Sequence, residues 1–431
     1  MELLLHYCWN HKLFPLTKLT TTDGKSVEVI DPGLHNMDAG PDFFNAKIKI
    51  GGTLWVGNVE IHDKASDWFM HHHDADPRYD NVILHVCSIM DDQAKTCNGN
   101  EPSQMQLGVP EDIKTNYQQL LNEDKYPPCY KVIPEMKKII LHSWMSALQV
   151  ERLEQKTEAI KKRVLLCEDS WEAGLFVTLA RNFGFGKNND AFEQWALRIP
   201  LGSIGHHRDN PFQIEALFLG QAGLLDINSV HQRYRDTVSS DAYFVKLRNE
   251  YKYLAHKFGL KPMDSSRWNF LRMHPQNFPY IRISQLADLY CSNKLNISVL
   301  VDCKNVRDSQ MLLQAKVSEY WQTHYSFGIE SPKNEKKLSP SSLNILIINT
   351  VIPVLFAYGR HREDQRLCDL AFDFLEQLKT EDNNIVRMWQ QCGLDATTAG
   401  DSQALIQLKK EYCDKKDCLR CRIGYEYLKR K

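Results

Sequence analysis

The stretch "GPDFFNAKIKIGGTLWVGNVEIH", Gly40 to His62, decides how this chain is read. "DFFNAKIKI" alternates apolar and polar residues, as a half-buried strand does. Gly51-Gly52 is a two-residue hairpin signal, because both turn positions need positive φ. "TLWVGNVEIH" is apolar on both faces, which places it in the middle of a sheet. The hairpin carries Asp42 at one end and Glu60 and His62 at the other. Glu60 and His62 are two apart and share a face. A perfect hairpin pairs Ile50 with Thr53 and Asp42 with Ile61, which leaves Asp42 on the opposite face. One extra residue on the second strand repairs this, and Gly57 is the expected bulge. A three-residue turn would have the same effect.

Flanking segments extend the pattern. Residues 2–14 read as a helix, "SVEVI" (26–30) and "NVILHVC" (81–87) as strands, and "KASDWFMHH" as a helical turn. The front of the chain is therefore a small α/β domain of order α-β-β-β-α-β. "DKYPPCYKVIP" (124–134) reads as a linker, and Glu135 to Cys167 as a long amphipathic helix. Further helices are expected around 170–182, 190–198, 211–224, 240–258, 309–323, 343–358, 362–379 and 402–411. The fold class is α+β, a small α/β core followed by a larger all-α domain. The expected boundaries are 1–125, 131–390, and a cysteine-bearing basic tail over 391–431. The polar "SPKNEKKLSPSS" (331–342) is the segment expected to be most flexible.

Composition narrows the class. The chain has 431 residues, 43% hydrophobic and 25% charged, with a formal net charge of −1. That balance excludes a globally basic nucleic-acid coat but not a local patch. The N-terminus lacks the features of a signal peptide. Leu343 to Gly359 is the most apolar stretch, yet it holds Asn344, Asn349 and Pro353. It reads as a buried helix kinked at the proline rather than a membrane span. Twelve cysteines without an export signal imply a reduced, cytoplasmic protein, with no membrane partner expected.

Residues 38–92 hold ten acids against four Lys or Arg, plus five histidines. Such a field suits a cation. Hard ions such as Mg²⁺ or Mn²⁺ take carboxylate oxygens, which points to Asp42 and Glu60. "HHHDADPRYDNVILHV" adds His71, His72, His73, Asp74, Asp76 and His85. A competing set is His62, His73 and His85 with Glu60, as the zinc site of a hydrolase. A third reading leaves the histidines on a surface loop with no metal. Trp68 reads as a lid over the core.

Asp42 and Glu60, with seventeen residues between them, lie within "GPDF" and "VEIH" and resemble the PD-(D/E)XK nuclease signature. The resemblance covers about the first 90 residues. It implies that Asp42 and Glu60 bind Mg²⁺ or Mn²⁺, and that His62 stands where the family has lysine and poises the attacking water. It implies a phosphodiesterase acting on DNA or RNA. A protein that keeps a degenerate nuclease fold for binding or scaffolding alone is the alternative. Over nearly its whole length the chain also resembles an uncharacterised bacterial family known only as a domain of unknown function. "HYCWNHKLF", "DAGPDFFNAKIKI", "GNVEIH", "YDNVILHV", "NFGFGKNN", "EALFLGQAGLL", "HPQNFPYIRI" and "DSQALIQLKKEYC" carry that resemblance.

At the other end, Cys413-x4-Cys418-x2-Cys421 has the spacing of a zinc or iron–sulfur site that still needs a fourth ligand. Cys392 is the nearest cysteine in sequence. Residues 409–431 hold nine Lys or Arg against four acids, and Lys415, Lys416 and Arg420 there are candidates for nucleic-acid phosphates. Arg267, Arg272 and Arg282, with His274 and Asn277, fit either a nucleic-acid groove or an arginine network that pins a loop. "NFGFGKNN" (182–189) lacks the phosphate-loop spacing and reads as an inter-helix turn.

Overall fold

The structure is a computed structural model that describes residues 2–14, 19–294 and 296–430. The chain forms two compact units. The first comprises Met1–Trp144, Gln391–Leu394 and Leu408–Lys431; the second comprises Met145–Gln390 and Asp395–Gln407. The segment read as a separate tail is thus shared out, its cysteine-bearing part folding with the front of the chain.

In the first unit, α1 (Glu2–Asn10) precedes β1 (Val27–Asp31), β2 (Leu34–His35), β3 (Phe43–Ile50) and β4 (Thr53–Lys64). Then come α2 (Asp67–Met70), β5 (Val82–Ile89), β6 (Ser103–Gln106) and α3 (Glu111–Asn122). The sheet runs β1-β3-β4-β5-β6, with β2 also on β3. β1, β3 and β4 are antiparallel neighbours, whereas β4–β5 and β5–β6 are parallel. The parallel pairing forces the chain to cross over between β4 and β5, and residues 65–81 make that crossover. β2, β6 and α3 are not expected from the sequence pattern.

One face of the sheet is apolar. Phe43, Ile48, Val59, Ile61, Leu84, Val86 and Met105 pack there against Leu5 and Trp9 of α1. Burying this set is the main stabilising term of the small unit. The alternation that buries those residues sends Glu60, His62, His85 and Cys87 to the other face.

The hairpin closes at Gly51 and Gly52, with φ of 56° and 88°, and Ile50 pairs with Thr53 as expected. Pairing stays regular as far as Ala46 opposite Gly57, and then Phe43 meets Val59. The extra residue therefore lies on β3 and not at Gly57. Asn45 absorbs it with φ 55°, a left-handed conformation that asparagine tolerates better than most residues. Gly57 has a different task. A Cβ there would stand 2.4 Å from Ile83 Cγ2 and 2.9 Å from the Asn81 carbonyl oxygen. The glycine lets the start of β5 approach the sheet.

The second unit is mostly helical. The run Pro340–Arg362 is long and apolar enough to cross a membrane, but it is mostly buried within the protein. Its expected kink is a π turn, Ile347–Val351, followed by helix from Ile352. Pro353 cannot donate to the Asn349 carbonyl one turn back. Asn182 Nδ2 donates to that oxygen instead, at 2.8 Å, and Lys156 Nζ donates to the Ile348 carbonyl at 3.2 Å. The helix expected over 309–323 is two short ones, Val306–Leu312 and Glu319–Gln322. Within the polar 331–342 segment, Lys336 is buried and its ammonium donates to the carbonyls of Trp321 and His324.

The bulge makes a direct prediction. Asn45→Val should destabilise the protein by about 1–2 kcal/mol, the cost of a left-handed conformation for a β-branched residue. Asn45→Gly should be near neutral. Chemical denaturation of the two variants beside the wild type checks both.

Candidate metal centre

The shift on β3 sets Asp42, just before the strand, opposite Glu60. Each acid then grips the backbone of the facing strand. The Asp42 N–H donates to Glu60 Oε2 at 3.0 Å, and the Ile61 N–H donates to Asp42 Oδ2 at 2.8 Å. One oxygen of each carboxyl is thereby fixed by the main chain. The other, Oδ1 or Oε1, is left for side chains or a ligand.

Histidines surround this pair. In the parallel β4–β5 ladder Glu60 pairs with His85, and His62 pairs with Cys87. His62 Nδ1 lies 2.9 Å from His85 Nε2. The crossover then supplies His71, whose Nδ1 is 3.2 Å from His62 Nε2. It also supplies His73, whose Nε2 is 3.1 Å from Glu60 Oε1. His62 Nε2 is 3.5 Å from the same oxygen, and His6 of α1 reaches Asp42 Oδ2 at 3.4 Å. Tyr79 stacks on His73 at 3.8 Å between ring centres. Trp68 is fully buried, with its indole N–H on the Lys95 carbonyl, so it closes this layer as expected.

Burial dominates the electrostatics. It raises the Asp42 carboxyl above its ordinary range. Burial followed by repulsion from Asp42 raises Glu60 further. The imidazoles go the other way: burial, then neighbouring histidines, push His62 far down, and His73 and His85 fall to about 4. At neutral pH the contacts of Glu60 with His62 and His73 are thus neutral hydrogen bonds rather than ion pairs. A cation entering the site would reverse this balance by favouring the ionised carboxyls.

The proton positions are set by one amide. Gln104 Nε2 donates to the Asp92 carbonyl at 3.2 Å, which can only accept. The same nitrogen, 3.2 Å from His85 Nδ1, therefore donates there as well. His85 carries its proton on Nε2 and gives it to His62 Nδ1. His62 in turn carries its proton on Nε2, facing Glu60 and His71. Cys87 Sγ, 3.1 Å from His85 Nε2, accepts from the same edge.

Glu60, His62 and His73 thus meet, and Asp42 joins them through its backbone hydrogen bond to Glu60. His85 is fully buried behind His62, where it orients that ring. Among the described residues, His62, His71 and His73 are one group of three whose ligand atoms lie within 4.8 Å of one another. His6 and Gln104 escape a sequence reading because nothing local marks them; only the fold brings them in. At the other end of the chain, Cys413, Cys418 and Cys421 share a cavity with Cys129, and Cys392 does not line it. In the second unit Arg267 and Arg272 are exposed, while Arg282 is buried. Arg282 donates to Gln285 Oε1 at 2.8 Å and Asn277 Oδ1 at 2.5 Å and stacks on Phe185, so it pins its own loop. Lys415 pairs with Glu411 and Arg420 with Asp417, whereas Lys416 is exposed beside the cysteine cavity. "NFGFGKNN" is an inter-helix turn, and Lys187 there donates to the carbonyls of Leu271 and Arg272.

One family of proteins, described as a protein of unknown function (DUF2851), matches residues 2–384. No curated protein and no solved structure matches the chain.

The raised Glu60 carboxyl has a consequence with a definite sign. Its stabilising contribution to the metal-free protein is full below the ordinary glutamate value of 4.5 and is lost as pH rises towards the raised folded value. Glu60→Gln should therefore flatten the fall in melting temperature across neutral pH. In the wild type, divalent-metal binding at pH 7 should release a proton and tighten with pH, by up to about tenfold per unit for one proton. Calorimetry in buffers of different ionisation enthalpy measures both.

Proposed function

The chain belongs to the DUF2851 family, whose description names no activity, and we propose that it is a divalent-metal-dependent hydrolase acting on phosphodiester bonds of DNA or RNA. The observation that carries this reading is the Asp42–Glu60 pair, with one oxygen of each carboxyl held by backbone and the other, which in Glu60 meets His73 Nε2 at 3.1 Å, placed where an ion could take over. Two such oxygens fit Mg²⁺ or Mn²⁺, which keep several waters when bound by one or two carboxylates. The bound ion would polarise a phosphate oxygen and lower the pKa of a water. The element order α1, β1, β3, β4, α2, β5 agrees with the PD-(D/E)XK resemblance and supports a nucleic-acid substrate over other phosphodiesters.

His62 occupies the place where that resemblance expects lysine. With its proton on Nε2 it is a donor, as lysine is, though a neutral one. It holds the attacking water or a phosphate oxygen against Glu60, and His85 keeps its ring from turning. In this tautomer it does not take the water's proton. His73 and Tyr79 wall the site and exclude solvent from Glu60.

A second reading has its own observation. His62, His71 and His73 come close enough to hold one transition-metal ion, as a zinc hydrolase would require. It demands that His62 lose the Nε2 proton, which breaks the relay from Gln104.

The test uses labelled single- and double-stranded DNA and RNA with Mg²⁺, Mn²⁺ or Zn²⁺. Cleavage with Mg²⁺ or Mn²⁺ should fall to the metal-free level in Glu60→Ala and Asp42→Ala, and survive in His71→Ala. Cleavage by Glu60→Ala at the wild-type rate, or of no substrate by the wild type, would overturn the proposal. Activity with Zn²⁺ alone, lost in His71→Ala, would select the second reading.

A further inference from the structure

Four cysteines meet inside the first unit. Cys129, from the loop after α3, lines one cavity of about 140 Å³ with Cys413, Cys418 and Cys421. Cys129 and Cys421 are almost fully buried, and all four are free thiols. Burial raises the Cys129 thiol, and Cys421, Cys413 and Cys418 raise it further, so the four sulfurs lie within one another's field. Buried thiols normally scatter through a core as small hydrophobic groups. Four around one void, from segments so distant in sequence, need another explanation.

The surroundings are shaped for sulfur ligands. The backbone N–H groups of Ile423 and Gly424 hydrogen-bond to Cys421, while the Tyr126 hydroxyl, which lines the same cavity, donates to Asp414 Oδ1 at 2.9 Å. Such donors to sulfur tune thiolate-bound metal centres. Gly424 admits no side chain, since a Cβ would fall 2.0 Å from the Cys418 carbonyl oxygen. Leu120, Leu121 and Pro128 line the cavity and keep it apolar.

Spacing separates the two metal classes. A zinc ion with Zn–S bonds of about 2.3 Å draws its four sulfurs to about 3.8 Å from one another. Among the described residues, no three of these sulfurs lie within 4.8 Å of one another, whereas the three histidines of the other site do. A polynuclear cluster spreads its thiolates wider, because they bind separate irons. We propose that Cys129, Cys413, Cys418 and Cys421 ligate an iron–sulfur cluster. It ties the loop after α3 to the C-terminal segment, where Asn116 of α3 already donates to the Leu428 carbonyl at 3.0 Å. This site stands independently of the carboxylate centre.

The experiment uses the full chain purified without oxygen. Wild-type protein should contain iron and acid-labile sulfide in equal amounts, with visible absorbance. Cys129→Ser should hold at least tenfold less of both, and Cys392→Ser should match the wild type. Should Cys129→Ser fail to fold, the wild type alone provides the check. Stripping iron with a chelator should expose Cys129, Cys413, Cys418 and Cys421 together to alkylation, read by mass spectrometry. One zinc per chain without sulfide would overturn the proposal, as would absence of metal. So would full iron in Cys129→Ser, or a Cys129 whose alkylation ignores iron removal.

Discussion

The site depends on one residue of β3 that has no partner across the hairpin. Asn45 turns left-handed, the register moves by one, and Asp42 comes to lie opposite Glu60 instead of on the far side of the sheet. Two main-chain hydrogen bonds then lock the acids in place. Without the shift, Asp42 would project into the apolar layer with Phe43's neighbours, and the acids could not share a ligand. A period of two allows no intermediate arrangement.

The consequence is electrostatic. Two carboxyls brought together under a roof of Trp68, Tyr79 and His73 cannot both stay charged without a counter-ion. No lysine or arginine contacts either carboxyl among the described residues. Burial and neighbouring histidines keep His62 and His73 neutral, so these two rings bring no counter-charge. In the bare protein the strain is relieved by the proton that Glu60 keeps, and a cation between the acids would take that proton's place. Structural acids are usually satisfied by arginine or by several backbone donors, as Arg163 and Arg181 satisfy Glu193 in the second unit.

Much of this is legible along the chain. Alternation in "DFFNAKIKI" and the Gly51-Gly52 turn identify the hairpin, and parity shows that a bulge or a three-residue turn is needed for the acids to share a face. Its location is not legible, because Gly57 looks like the natural bulge residue while its real role is to admit Ile83. Asn45 is equally capable of positive φ, but local sequence does not rank the two. His6, Gln104 and Cys129 are invisible as partners for a different reason: long-range packing alone brings them to their sites. The π turn before Pro353 likewise depends on Asn182 and Lys156 from other helices, which no local pattern encodes.

Everything proposed for the carboxylate centre requires that Asp42 and Glu60 together hold a divalent cation. Crystals soaked in Mn²⁺ and measured at an anomalous wavelength test this without reference to any substrate. A single strong peak is expected within coordination distance of one oxygen from each acid, absent in Glu60→Gln. A soaked crystal with no peak there, or with manganese held by His71 and His73 away from Asp42, would contradict it.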